Sequence, residues 1–291
     1  MRAKSLIITL FGDVISQHGG EIWLGSIAKS VEALGVNDRL VRTSIFRLAK
    51  EGWLEVEREG RKSFYGFTRS GSKEYQRAAQ RIYSAGGDSW HGTWQLLVPT
   101  NLPEHMRDNF KRSLNWLGFR AISNGTFARP GGDEESIRDL LDEFDLNSGV
   151  VVMEAKTSSL TTPKEWRELV SEHWQLRNLE DEYRQIIGLF SPLKKALDKG
   201  KVPTPLEAFQ ARLLLIHEYR RILLRDTPLP TDLLPNRWQG TVARQLAQAL
   251  YRDLAKPSTS YIQTELVNRQ GQLPESEYYF YQRFGGISKS L

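Results

Sequence analysis

Residues 23–68 read WLGSIAKSVEALGVNDRLVRTSIFRLAKEGWLEVEREGRKSFYGFT, and this stretch decides the fold. Leu24, Ile27, Ala28 and Val31 recur at i, i+3, i+4 and i+7, the spacing of one buried helical stripe. Gly35 supplies the turn that follows, where a positive φ costs nothing without a Cβ. Asn37 or Asp38 caps the next helix by accepting a hydrogen bond from its orphan N–H groups. That second helix buries Val41, Ile45 and Leu48. At about 100° per residue, Arg39, Thr43, Phe46 and Lys50 fall on the opposite face, flanked by Arg42 and Arg47. Gly52 ends it.

Beyond Gly52 the pattern alternates as a strand should, Leu54 and Val56 on one face, Glu55 and Glu57 on the other. Glu59, Gly60, Arg61 and Lys62 make a short basic turn, and residues 63–68 return as a second strand. Two helices joined by a tight turn and followed by a basic hairpin make a winged helix-turn-helix. This geometry lays a helix in the major groove of DNA and the hairpin on the adjacent backbone. The apolar stretch 5–15 supplies the first helix of this domain, packing Leu6, Leu10 and Val14 beneath the reading head. It is too short to span a bilayer, is interrupted by Asp13, and lacks the small-residue site of a signal peptide.

Charge placement agrees. The chain of 291 residues carries 40 Lys and Arg against 35 Asp and Glu. Residues 1–85 hold 14 basic and 9 acidic residues, whereas residues 86–291 hold 26 of each. The whole positive excess therefore sits in the candidate DNA-binding segment, where phosphate neutralisation needs it. A chain of this length is past the size at which one core keeps growing, so two or three domains are expected. The absence of cysteine excludes disulfides, thiolate metal sites and cysteine nucleophiles together, and fits a cytoplasmic protein.

After a helix over 71–85 and a hinge at Gly86, Gly87 and Asp88, a second unit begins. It has a strand over 94–98, a helix over 102–117 with Pro103 in its first turn, and strands over 119–122 and 126–128. Asn124-Gly125 between those strands is a strong hairpin signal. A helix over 134–144 and a Val-rich strand over 149–154, expected to be buried, complete the order βαββαβ of ferredoxin-like folds. From residue 163 onward only helices are read: one long helix over 163–189, another over 205–224, and further ones over 241–254 and 259–268. The fold class is thus α+β in three parts: a winged helix-turn-helix domain (1–85), a ferredoxin-like domain (86–158) and a mostly helical domain (159–291).

Signals for an enzyme are weak. The five histidines (His18, His91, His105, His173, His217) show no metal-ligand spacing, and His173 beside Trp174 reads as core packing. There is no Walker A sequence, no GxGxxG and no GxSxG. The run GGDEE at 131–135 reads as acidic residues at a helix N-terminus, where they meet the positive end of the dipole. No catalytic residue, metal ligand or resident cofactor is expected.

The site expected from the residues is a DNA interface. Arg42 and Arg39 suit bidentate contact to guanine O6 and N7, and Thr43 reaches a base edge or a phosphate. Arg47, Arg58, Arg61 and Lys62 are read as phosphate contacts that set register without reading sequence. Lys50 shares the exposed face. Phe46 has two readings, packing under the first helix of the domain, which is favoured, or contact with a thymine methyl.

The segments LGSIAKSVEALGVNDRLVRTSIFRLAKEGWL, FYGFTRSG and HGTWQLLVP, with the LGF strand that follows, resemble the PaaX family, repressors of phenylacetic acid degradation operons. The likeness covers essentially the whole chain. Val41-Arg42 and Leu48 occupy the valine-arginine and leucine positions of the wider GntR-like reading helix. The resemblance implies a homodimer that binds a double-stranded operator, represses catabolic genes and leaves DNA on binding phenylacetyl-CoA. The middle domain looks like the CRISPR-associated Cas2 nucleases, which carry an aspartate at the end of the first strand. Here that strand ends Val98-Pro99, so a dimerisation or coupling module is expected rather than a metal-dependent nuclease. A regulator of the same build answering to another acyl-CoA or aromatic acid is the alternative. Arg220, Arg221 and Arg225 with Trp166 and Trp174 could supply the parts of an acyl-CoA site, though surface charge and core packing account for them more simply.

Overall fold

The computed structural model describes residues 3–84, 92–132, 134–146, 148–227 and 229–287. Its N-terminal part contains α1 (Ala3–Asp13), β1 (Glu21–Trp23), α2 (Leu24–Val31), α3 (Asp38–Lys50), β2 (Leu54–Glu59), β3 (Lys62–Phe67) and α4 (Arg69–Ile82). Gly35 sits in the left-handed region at φ 81°, and the Asn37 side chain accepts from the Leu40 amide at 3.0 Å, so Asn37 rather than Asp38 is the cap. β2 and β3 pair with Glu59 opposite Lys62 across a two-residue turn, and β1 adds to the far side of β3. The helices and the β2–β3 hairpin follow in the order expected from the sequence, whereas β1 and its pairing with β3 were not expected. Val56, expected on the same face as Leu54, is exposed, because Leu54 is the one buried residue of β2.

In the second unit, β4 (Thr93–Pro99), α5 (Arg107–Trp116), β5 (Arg120–Ser123), β6 (Thr126–Pro130), α6 (Glu134–Glu143) and β7 (Val150–Lys156) follow in the expected βαββαβ order. The antiparallel sheet runs β5-β6-β4-β7, the strand order of a ferredoxin-like fold. Phe110, Leu114, Phe119, Ile137 and Leu140 close one of its faces with Leu97. β7 departs from expectation. Val151, Val152 and Met153 are 45, 40 and 43% exposed, because β7 is an edge strand that pairs on one side only. A Val-rich run signals burial on both faces only when it lies inside a sheet.

The helix expected over 163–189 is two helices, α7 (Pro163–His173) and α8 (Leu176–Asp198). Gln175 breaks them with φ at 54°. The buried Trp174 fixes the break by donating its indole N–H to the Gly118 carbonyl at 3.3 Å. α9 (Pro205–Leu223) starts in a full capping box, Thr204 and Glu207 exchanging hydrogen bonds. The two helices expected over 241–254 and 259–268 are one, α10 (Gln239–Glu265), which carries through Pro257. Proline removes one backbone donor there. Leu250, Leu254, Ala255, Ser258, Tyr261 and Ile262 are buried on both sides of it and hold the axis. The short strands β8 (Val267–Asn268) and β9 (Gly271–Gln272) and helix α11 (Tyr278–Gln282) end the chain.

The compact units do not follow the division 1–85, 86–158 and 159–291. Residues 183–225 and 240–291 join the N-terminal part in one unit, and residues up to 182 together with 226–239 join the ferredoxin-like sheet in the other. The cause is the shape of the N-terminal core. Leu6, Leu10, Ile27, Val31, Val41, Ile45 and Leu48 share one cluster with Phe209, Leu213, Ile262, Leu266 and Leu273. Each such side chain contributes roughly 1.5–3 kcal/mol when fully removed from water. Without α9 and α10, much of that gain would be lost. The hinge expected at residues 86–88 lies outside the described residues, as do His91 and Asp133 of the acidic run.

Candidate nucleic-acid interface

Helix α3 presents its polar side to solvent because its apolar side chains fall on a single face. Val41, Ile45 and Leu48 are buried, while Arg39, Leu40, Arg42, Thr43, Phe46, Arg47 and Lys50 are exposed. Asp38 lies in the first turn, at the positive end of the helix dipole. Its carboxylate accepts from the Arg42 Nε at 2.6 Å, which fixes the stem of Arg42 on the exposed face. That carboxylate raises the Arg42 pKa, and Tyr65 on β3 lies close enough to act on it as well. The hydroxyl of the exposed Thr43 donates to the Arg39 carbonyl at 2.9 Å.

The hairpin supplies the second half of the surface. Arg58, Arg61 and Lys62 are exposed around its tip, and Gly60 adopts φ 57° to make the turn. The Lys62 ammonium lies 5.3 Å from the centroid of the Trp23 ring, a cation–π contact that holds it beside β1. Among the described residues, Arg39, Arg47, Lys50, Arg58, Arg61 and Lys62 have no ion-pair partner, so their charge is available to a polyanion. All eight basic or hydroxyl residues expected at a DNA interface are therefore exposed on α3 or its hairpin. Phe46 is not packed under α1; it is 71% exposed on the same face, so its favoured sequence reading fails. The wheel had already placed it opposite Val41, Ile45 and Leu48, and α1 packs on that buried side.

Two residues to which the sequence reading gave no structural role organise this part of the chain, one at the surface and one buried beneath it. Arg269, in the turn between β8 and β9, grips the Glu21 carboxylate with two nitrogens at 2.9 and 2.8 Å and also pairs with Glu57 on β2. It offsets two of the acids on the hairpin's sheet. Asp13 closes the end of α1 from within and is fully buried. It accepts from the Tyr83 and Tyr251 hydroxyls at 2.7 and 2.8 Å, from Arg212 Nε at 3.0 Å and from Arg283 at 2.9 Å. Burial alone would raise its pKa, but Arg212, Arg283 and the tyrosine hydroxyls outweigh that and hold it below the usual carboxylate range. The second buried cation is offset by the Gly12 and Asp13 carbonyls, where α1 ends, and by the Tyr83 ring 4.0 Å away. A lone acid inside an apolar run reads as an interruption; its partners lie 70 to 270 residues away.

The parts suggested from sequence for an acyl-CoA site are used in packing. Trp166 stacks on Trp94 at 5.0 Å, and Trp174 packs against the same ring at 6.2 Å, both within the second unit. Arg220 belongs to the first unit, donating to the Ser5 carbonyl and the Thr9 hydroxyl, and Arg221 pairs with Glu218. A cleft of about 600 Å³ on the first unit is lined by Lys29, Gln210, Tyr261 and Glu265, with the Lys29–Glu265 ion pair among its walls. Among the described residues, no three His, Asp or Glu side chains group as metal ligands, and no helix is long and apolar enough to cross a membrane.

Comparison with known proteins bears on all three segments. Residues 2–71 match the family model of the PaaX-like protein, residues 87–168 that of the PaaX protein central Cas2-like domain, and residues 174–264 that of the PaaX-like protein C-terminal domain. The chain is 39% identical over 288 residues to the transcriptional repressor PaaX of Escherichia coli (strain K12), covering 98% of this chain and 90% of that protein. A solved structure, the uncharacterized protein Rv0674 from Mycobacterium tuberculosis, superposes with a TM-score of 0.52 at 18% identity. It covers 80% of this chain and 88% of that one, a likeness of fold alone. With its three segments matched in order and a curated relative aligned along nearly its whole length, this chain belongs to the PaaX-like protein family.

Proposed function

We propose that this protein is a sequence-specific, DNA-binding transcriptional repressor of a phenylacetate catabolic operon. It acts in the cytoplasm as a homodimer, is not an enzyme, and leaves its operator on binding phenylacetyl-CoA. The observation that carries the DNA reading is the set of exposed cations on α3 and its hairpin, of which all but Arg42 have no ion-pair partner among the described residues, joined by the relative's name as a transcriptional repressor. Arg42, its stem held by Asp38, reads a guanine edge with Arg39 and Thr43 beside it. Arg47, Lys50, Arg58, Arg61 and Lys62 hold the phosphates and set register. Two-fold symmetry then calls for a roughly palindromic operator, its half-sites about one helical turn or a multiple apart. Release requires the effector to favour a dimer whose reading heads no longer match that spacing.

A fluorescence-anisotropy titration of the protein on the DNA upstream of its own coding sequence tests this. It is run without ligand, with phenylacetate, and with phenylacetyl-CoA. Tight binding released by the CoA ester alone is expected. Release by another acyl-CoA would keep the repressor and replace the effector, and absence of binding to any duplex would overturn the function.

A further inference from the structure

We propose that Phe46 is a base-reading residue that recognises the 5-methyl group of a thymine one or two base pairs from the pair contacted by Arg42; this rests on the DNA reading above. The sequence favoured a packing role for this ring, and the structure removes it. Phe46 is 71% exposed on a helix whose other large apolar side chains on the core side are buried. Folding gains little from a phenylalanine left in water, so the ring is available to a partner that would cover it.

Its neighbours name the class of partner. On the α3 wheel Phe46 lies at the centre of the exposed face, one turn from Arg42 on one side and from Lys50 on the other, with Arg39 and Arg47 nearby. Asp38 is the acid on that face, and it is engaged with Arg42. A protein partner or a lipid surface with an apolar patch would have to desolvate those cations. The DNA major groove meets both demands, because it is polyanionic at its edges and carries one apolar group on its floor, the thymine methyl. Four residues of helix advance about 6 Å, and base pairs are spaced about 3.4 Å apart, which sets the ring one or two pairs from the guanine at Arg42.

The test uses the full-length protein and a duplex enriched from a randomised library by the wild-type chain. Each thymine is replaced in turn by deoxyuridine, which removes the methyl and leaves every hydrogen bond in place. At one position per half-site the wild type should bind the uracil duplex about fourfold more weakly, the worth of one buried methyl. Phe46→Ala should bind thymine and uracil duplexes equally, and Phe46→Leu should keep part of the difference. Salt dependence should be the same in all three proteins. A wild type indifferent to uracil everywhere, or a Phe46→Ala protein that keeps the thymine preference, would overturn the proposal while leaving the repressor reading intact. A change in sedimentation coefficient as the sole effect of Phe46→Ala would assign the ring to a protein contact instead. Failure to enrich any duplex would sink the repressor reading itself.

Discussion

Arg212 on α9 donates its Nε to the Asp13 carboxylate at the end of α1 at 3.0 Å, with both side chains out of water and 199 positions apart in the chain. This pair joins the helix under the reading head to the C-terminal helices. The N-terminal core of this protein is completed by chain that follows its central domain.

Removing the acid should therefore damage the whole first unit. Asp13→Ala leaves Arg212 and Arg283 buried without their counter-charge, a change that costs about 3–5 kcal/mol where a buried pair is broken. Thermal melting should show a fall of many degrees, and near-UV circular dichroism should lose the signal of Tyr83 and Tyr251. A loss under about 1 kcal/mol would mean that the cluster is not what couples the segments.

Stability should also decline in mild acid. His18 donates from Nδ1 to the Pro274 carbonyl at 2.7 Å, and His217 meets the Thr9 hydroxyl at 3.3 Å. Burial pulls the pKa of each down to about 4, against an ordinary value near 6.5. The unfolded chain thus binds more protons than the folded one between these values, so stability is full above about pH 6.5 and falls as pH drops toward 4. The loss is of the order of 3 kcal/mol per histidine at the lower limit. Asp13, with its lowered pKa, keeps its contribution until lower pH still. Urea titrations at pH 7.5, 6, 5 and 4 should show a falling midpoint. His217→Gln should flatten that dependence, and an unchanged slope would remove this histidine from the account.

Arg269 should matter more to DNA than to folding. Its pairs with Glu21 and Glu57 are partly exposed and screened by solvent, so they add little to stability. Arg269→Ala leaves two carboxylates unneutralised on the sheet of the hairpin. DNA affinity should fall several-fold at 50 mM salt and much less at 300 mM, where screening shortens the reach of those charges. The double variant with Glu57→Gln should recover part of the loss; equal losses at both salts would argue for a misplaced hairpin instead.

Much of this was legible in the sequence wherever the signal is local. The stripes Leu24–Ile27–Val31 and Val41–Ile45–Leu48, the turn at Gly35 and the cap at Asn37 gave the reading head, and Asn124-Gly125 helped to place the βαββαβ order. What was not legible depends on partners far along the chain. Edge or centre cannot be told from the composition of β7, so Val151 and Val152 read as buried. Nothing near Gln175 announces a left-handed residue, and nothing near Pro257 announces that burial on both sides will carry a helix through it. Asp13 and Arg269 look like ordinary charges until the N-terminal and C-terminal segments fold against each other.

On the proposed interface, α3 reads bases while the hairpin holds the backbone. Anisotropy titrations of wild type, Arg42→Ala and Lys62→Ala on the enriched duplex and on a scrambled one, across a salt series, test it most directly. Arg42→Ala should lose about 1–3 kcal/mol on the enriched duplex and little on the scrambled one. Lys62→Ala should weaken both alike and reduce the salt slope by about one. If both variants lost the same affinity on both duplexes, with the same change of slope, the division between a reading helix and a positioning hairpin would be contradicted.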